Sequence, residues 1–121
     1  MLTTALEPRV KVACVSGALN VMQERIGVRY GCGAQVIPGL LQYGDVPEIG
    51  SLIAPRPCVW EAGTKDGLIK ADWAEEAVKR MRKAYRAFDA DAFHLDRFEG
   101  GHRWNGKIAE PLFAKMLAPP A

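Results

Sequence analysis

The chain has 121 residues, 49% of them apolar and 25% charged, and its 16 basic and 14 acidic side chains leave a formal net charge of +2. That length suits one domain with a modest core, and the near balance of charge argues against a nucleic-acid or anionic-membrane surface as the main partner. No apolar run approaches the roughly 20 residues of a membrane span. The stretch Met1 to Glu7 is too short and too acidic for a signal peptide, so the expected compartment is cytoplasmic.

In chain order, the first element is a strand over Val10 to Ser16, rich in β-branched residues and closed by Gly17. A long loop follows. Its section from Gly27 to Gly44 is long for a connection in a compact domain, and such loops often serve as lids or interfaces. A short helix is expected over Val46 to Leu52, opened by Asp45 as N-cap with Pro47 just inside and stopped by Pro55. Pro57 to Ala62 reads as a second buried strand, closed by Gly63.

From Ala71 to Phe88 the apolar residues Trp73, Ala77, Val78, Met81, Ala84, Tyr85 and Phe88 recur at helical spacing. Trp73, Met81, Tyr85 and Phe88 are read as core. The bases Lys79, Arg80, Arg82, Lys83 and Arg86 read as a solvated helix face rather than a phosphate site. Ala92 to Phe98 is a third, more alternating strand, with His94 at a partly exposed position. Ile108 to Leu117 forms the last helix, with Pro111 in its first turn. Strands alternating with helices imply an α/β fold with a parallel sheet. Three strands are few for that architecture, whose strands normally sit in larger sheets covered on both faces.

Chemistry in open α/β sheets gathers beyond the carboxyl ends of the strands. The loop after the second strand is Gly63-Thr64-Lys65-Asp66-Gly67, and the one after the third is Glu99-Gly100-Gly101-His102-Arg103-Trp104. An acid and a histidine therefore leave the same end of adjacent strands. There the acid can fix the imidazole tautomer and the imidazole can take a proton from a nucleophile. Each loop is also ordinary turn chemistry; it is their joint placement that points to a triad. Arg103 and Trp104 stand where they could line a substrate pocket, with packing on the last helix as the alternative for Trp104.

These motifs carry a resemblance. Leu52-Ile53-Ala54-Pro55-Arg56-Pro57, a strand, Gly63-Thr64-Lys65-Asp66, and then Glu99-Gly100-Gly101-His102-Arg103-Trp104 resemble the dienelactone-hydrolase and acetyl-xylan-esterase-like branch of the α/β-hydrolases. So does Cys32-Gly33-Ala34-Gln35-Val36-Ile37-Pro38-Gly39-Leu40-Leu41. The resemblance runs from about Glu7 to Leu117. It implies that Asp66 is the triad acid, His102 the triad base, and the three strands the last of an eight-stranded sheet. The whole chain, 1–121, is then a single partial domain without the nucleophile half, and Met1 to Leu6 is the end of the helix that follows the nucleophile.

The departure concerns that nucleophile. In the family it sits on a Gly-x-Ser-x-Gly elbow between small residues. The two serines here do not fit: Ser16 lies between Cys14 and Ala18 at the elbow spacing, and Ser51 between Ile49 and Ile53. Cys32, with Tyr30 and Ala34 at those places, is the alternative nucleophile. Without the elbow, oxyanion-hole donors are missing as well, each typically worth about a hundred- to a thousandfold in rate.

Cys14, Cys32 and Cys58 form neither a disulfide framework nor a zinc pattern, and Cys14 and Cys58 read as small buried hydrophobes. No cofactor or metal is expected. The function expected is a serine-esterase-derived fragment acting on a small-molecule ester only if a nucleophile is supplied, with little activity alone. The alternative is a non-catalytic oligomeric or binding module. In either case the first strand lacks its natural neighbour, and a homo-oligomer through that exposed edge is expected unless Met1 to Pro8 or the long loop covers it.

Overall fold

The expected alternation of strands and helices is present in the computed structural model, which describes residues 1–28 and 36–119. Strands β1 (Ala13–Ser16), β2 (Cys58–Gly63) and β3 (Phe93–Phe98) form one parallel sheet in the order β1-β2-β3. Helices α1 (Leu2–Leu6), α2 (Met22–Arg25), α3 (Val46–Ser51), α4 (Ala71–Ala87) and α5 (Ala109–Leu117) surround it, with a 3₁₀ turn at Leu40–Gln42. The short α2 and this turn lie in a stretch that the sequence reading leaves as loop.

β1 begins three residues later than its composition suggests, and Pro57 is the reason. The first bond of the β1–β2 ladder runs from the Ala13 N–H to the Pro57 carbonyl at 3.1 Å. The next bond upstream would need an N–H on Pro57, which proline lacks. The chain before Ala13 is held by a side chain instead. The Arg56 guanidinium donates to the carbonyls of Thr4, Glu7 and Val10 at 2.7, 2.9 and 3.0 Å. One side chain thereby fixes α1 and the lead-in to the sheet.

Alternation along the strands divides the sheet into two faces. Ala13, Val15, Cys58 and Trp60 point to the face covered by α4, where they pack with Ala77, Val78, Met81, Tyr85 and Ile53. Tyr85 lays its ring edge-on against Phe93, with centroids 5.5 Å apart, and donates its hydroxyl to the Arg56 carbonyl. Trp73, Met81 and Tyr85 are buried as expected, but Phe88 is 59% exposed, which corrects its assignment to the core. The helix stops at Ala87, and Asp89 takes the left-handed conformation at φ 52°, so Phe88 lies past the last packed turn. Among the α4 bases, Lys79, Arg82, Lys83 and Arg86 are exposed, while Arg80 pairs with Glu48 of α3.

Asp45 organises the approach to β2. It is the N-cap of α3 and forms a capping box with Glu48. Its carboxylate also accepts the N–H groups of Met22 and Gln23, both at 2.8 Å, at the start of α2. A single buried acid thus satisfies the orphan donors of two helix starts that are more than twenty positions apart in sequence. Replacement Asp45→Ala is expected to lower unfolding stability by about 2 kcal/mol, the upper end for a lost cap. Urea denaturation checks this, and a change within about 0.5 kcal/mol, the range of neutral surface substitutions, would show that the double cap contributes little.

Candidate functional site

The other face of the sheet carries Cys14, Ser16, Val59, Glu61, His94 and Asp96. Glu61 and Asp96 stand opposite each other on adjacent strands, and both are buried, at 0% and 4% exposure. The Glu61 carboxylate accepts the N–H of Gly106 at 2.6 Å and that of Asn105 at 3.3 Å. Asp96 accepts the Asn105 side-chain amide at 2.9 Å and the N–H of Ile108 at 3.3 Å, just before α5. These two acids grip the descending end of the loop that carries His102.

The ascending end is gripped differently. Thr64 N–H donates to the Phe98 carbonyl at 2.9 Å, and Lys65 N–H to the Gly100 carbonyl at 2.8 Å. The Lys65 ammonium pairs with Glu99 at 2.7 Å across the same two loops. This zipper requires Gly63, where a β-carbon would run into the carbonyl oxygens of Gly100 and Gly101. The loop after β2 and the loop after β3 therefore lie against each other as a pair.

In that setting Asp66 and His102 meet, as the sequence places them. The His102 Nδ1 lies 2.9 Å from Asp66 Oδ2, and Asp66 Oδ1 accepts the N–H of Leu68 at 2.8 Å. The acid side chain is 2% exposed and the imidazole 49%. A buried carboxylate on Nδ1 selects the tautomer with the proton on that nitrogen and the lone pair on Nε2. Among the described residues, Nε2 has no hydrogen-bond partner. The ring rests on Gly17, at the end of β1: a β-carbon there would come within 2.5 Å of Cε1, and Gly17 holds φ +67°.

The remaining candidates separate. Arg103 stacks its guanidinium over Phe98, 4.9 Å from the ring centre, and donates to the Trp104 carbonyl. Trp104 is half exposed and donates its indole N–H to Glu110 of α5 at 3.4 Å, the packing alternative raised for it. Ser16 donates to the Arg103 carbonyl at 3.5 Å, and Ser51 to Pro47 within α3. Cys32, with Gly33, Ala34 and Gln35 of the resemblance, lies outside the described residues. Cys58 is fully buried, while Cys14 is only partly so. Burial pushes both thiols up to about 12, helped at Cys14 by the nearby charges of Glu61 and Asp96. At neutral pH neither supplies appreciable thiolate, which is the nucleophilic form. Glu61 and Asp96 were missed by the sequence reading. Their signal was an acid at an inward position of each strand, where an unpartnered charge would be too costly to keep.

No protein-family model matches the chain, and no curated protein does. Among solved structures it is similar to a protein of Bacteroides fragilis assigned as an acetyl xylan esterase, with a TM-score of 0.61 and 17% identity. The match covers 94% of this chain and 33% of that one. The chain therefore has an α/β fold that matches part of an α/β-hydrolase, and it spans about a third of the length of the structure it matches.

Glu61→Gln is expected to cost about 2 kcal/mol in chemical denaturation, because two N–H donors lose a charged acceptor. Amide exchange at Asn105 and Gly106 should accelerate with it. Unchanged exchange at those two amides would mean that the loop is held by something other than Glu61.

Proposed function

We propose that the chain is a hydrolase-derived module in which Asp66 and His102 form the acid–base pair of an ester-cleaving triad, with the nucleophile to come from another polypeptide segment. The observation that carries this reading is the 2.9 Å contact between a buried carboxylate and Nδ1 of a half-exposed imidazole whose Nε2 has no hydrogen-bond partner among the described residues. If a serine were presented to Nε2, its hydroxyl proton would pass to that nitrogen as Oγ attacks the ester carbonyl. Asp66 would stabilise the imidazolium, which would then give its proton to the departing alkoxide. Water would release the acyl group by the same route in reverse roles. The resemblance to the acetyl xylan esterase supports a carboxylic or carbohydrate ester as the substrate class.

On this reading the isolated chain turns over esters no faster than its imidazole does as a free nucleophile. Hydrolysis of p-nitrophenyl acetate should stay within the rate of an equal concentration of free imidazole, in the unmodified chain and in His102→Ala alike. Nitrogen-15 NMR of the imidazole should report the proton on Nδ1, and Asp66→Asn should shift it towards Nε2. Multiple turnover that vanishes in His102→Ala would mean that the chain carries its own nucleophile, with Cys32 the first to test. A proton found on Nε2 in the unmodified chain would remove the acid–base pair itself.

A second reading, a non-catalytic homo-oligomer, draws on the outer edge of β1. Ala13 and Gly17 donate inward to β2 at 3.1 and 3.2 Å. In a parallel ladder the intervening Cys14 and Ser16 then turn their peptide groups outward, and no described strand pairs with them. Sedimentation equilibrium should give a mass at least twice that of the chain. Ser16→Pro, which removes an outward N–H while leaving the β1–β2 ladder intact, should return it to one. A monomer at high micromolar concentration would rule the edge out as an interface.

A further inference from the structure

The outer edge of β3 and the flank of α4 above it form a surface that the acid–base pair does not use. The carbonyls of Ala92 and Phe98 accept the N–H groups of Cys58 and Thr64 at 3.0 and 2.9 Å. In a parallel ladder the peptide groups of Phe93, Leu95 and Arg97 then turn away from β2, and no described strand pairs with them. The side chains of these same three residues lie on the α4 face of the sheet.

Between α4 and β3 runs a cavity of about 400 Å³, with Val78 and Leu95 among its apolar walls. Four cations line it, Lys79, Arg82 and Arg86 from α4 and Arg97 from β3, against one acid, Glu75. All four are exposed. Glu75 is engaged by Arg97 at 3.3 Å, which leaves the three α4 bases to dominate the groove. Their spacing along the helix makes one stripe about 10 Å long. From the sequence these bases read as a solvated helix face; the fold turns three of them towards an open strand edge.

Edge and stripe together select the occupant. An open edge offers alternating donors and acceptors, which a polypeptide strand matches with its own backbone. The bases beside it call for acids on the side of that strand that faces α4. A second copy paired through the same edge would bring two basic stripes together. A phosphodiester chain would meet the charge but could not continue the ladder.

We propose that the β3 edge docks an extended acidic peptide as a further strand, with alternate carboxylates against Lys79, Arg82 and Arg86. Side chains on one face of a strand recur about 7 Å apart, so acids at every second position follow the stripe. The inference is independent of the hydrolase reading, since Asp66 and His102 take no part.

The test is fluorescence anisotropy of a labelled short peptide of alternating glutamate and threonine, at physiological salt, with amide exchange of the whole chain alongside. The peptide should bind saturably, and the amides of Leu95 and Arg97 should gain protection. A peptide of the same composition with its glutamates consecutive should bind about tenfold more weakly, because only every second acid can face α4. The double variant Arg82→Glu, Arg86→Glu, at exposed positions, should weaken the alternating peptide about tenfold and bind its lysine counterpart instead. Lys79→Gln, a milder change, should weaken binding about threefold, and it decides if the double variant fails to fold. Equal affinity for the two glutamate isomers, binding without protection of Leu95 and Arg97, tighter binding of oligothymidylate, or no saturable binding up to millimolar protein would each overturn the proposal.

Discussion

The carboxylate of Glu61, buried in the central strand and closed around two backbone N–H groups, sets much of what surrounds the candidate site. A charge in that position would be prohibitive if left alone. It persists because the loop after β3 brings Asn105 and Gly106 to it, so the loop cannot leave without stranding the charge. Asp96, across the ladder, repeats the device one step further along and delivers the chain into α5. The loop holding His102 is therefore pinned at its far end by electrostatics and at its near end by the backbone zipper through Gly63. The histidine needs little packing of its own, which is how its ring can stand half in solvent while keeping its bond to Asp66.

The two halves of that bond live in different environments, and the difference has chemical meaning. Asp66 is shielded and spends its second oxygen on a backbone N–H, so its orientation is fixed. His102 is open on the side away from the acid. A general base needs this asymmetry: a partner that does not move behind it and room for a reactant in front. Fold similarity alone supplies no such argument, because the same scaffold hosts many chemistries.

Much of this was legible in the sequence. The strand compositions, the α4 periodicity and the Asp45–Pro47 start signal each rest on local physics, and each element is present in that order, with β1 starting later and α4 ending one residue earlier than expected. Asp66 and His102 were legible because glycine-flanked turns after successive parallel strands must emerge at one end of the sheet. What was not legible depended on partners distant in sequence. The late start of β1 follows from a proline in another strand, and the clamp on its lead-in comes from Arg56, about fifty residues away from Glu7 and Thr4. Phe88 fits the apolar helical period, yet whether the last turn reaches the sheet depends on where the helix ends. Glu61 and Asp96 could have been flagged as acids at inward strand positions, but their partners lie in a loop with no periodic signal.

The contact between Gly17 and His102 couples two things that look separate. The imidazole fills the volume that a side chain at position 17, just past β1, would claim. Sliding β1 by one residue against β2 would bring Ser16 or Ala18 beneath the ring, and either β-carbon would push it off Asp66. Side chains alternate along a strand, so such a slip would also turn the core residues of β1 outward. The alignment of the sheet is thus written into the position of one histidine, and a probe on that ring would sense strand slippage before any reaction took place.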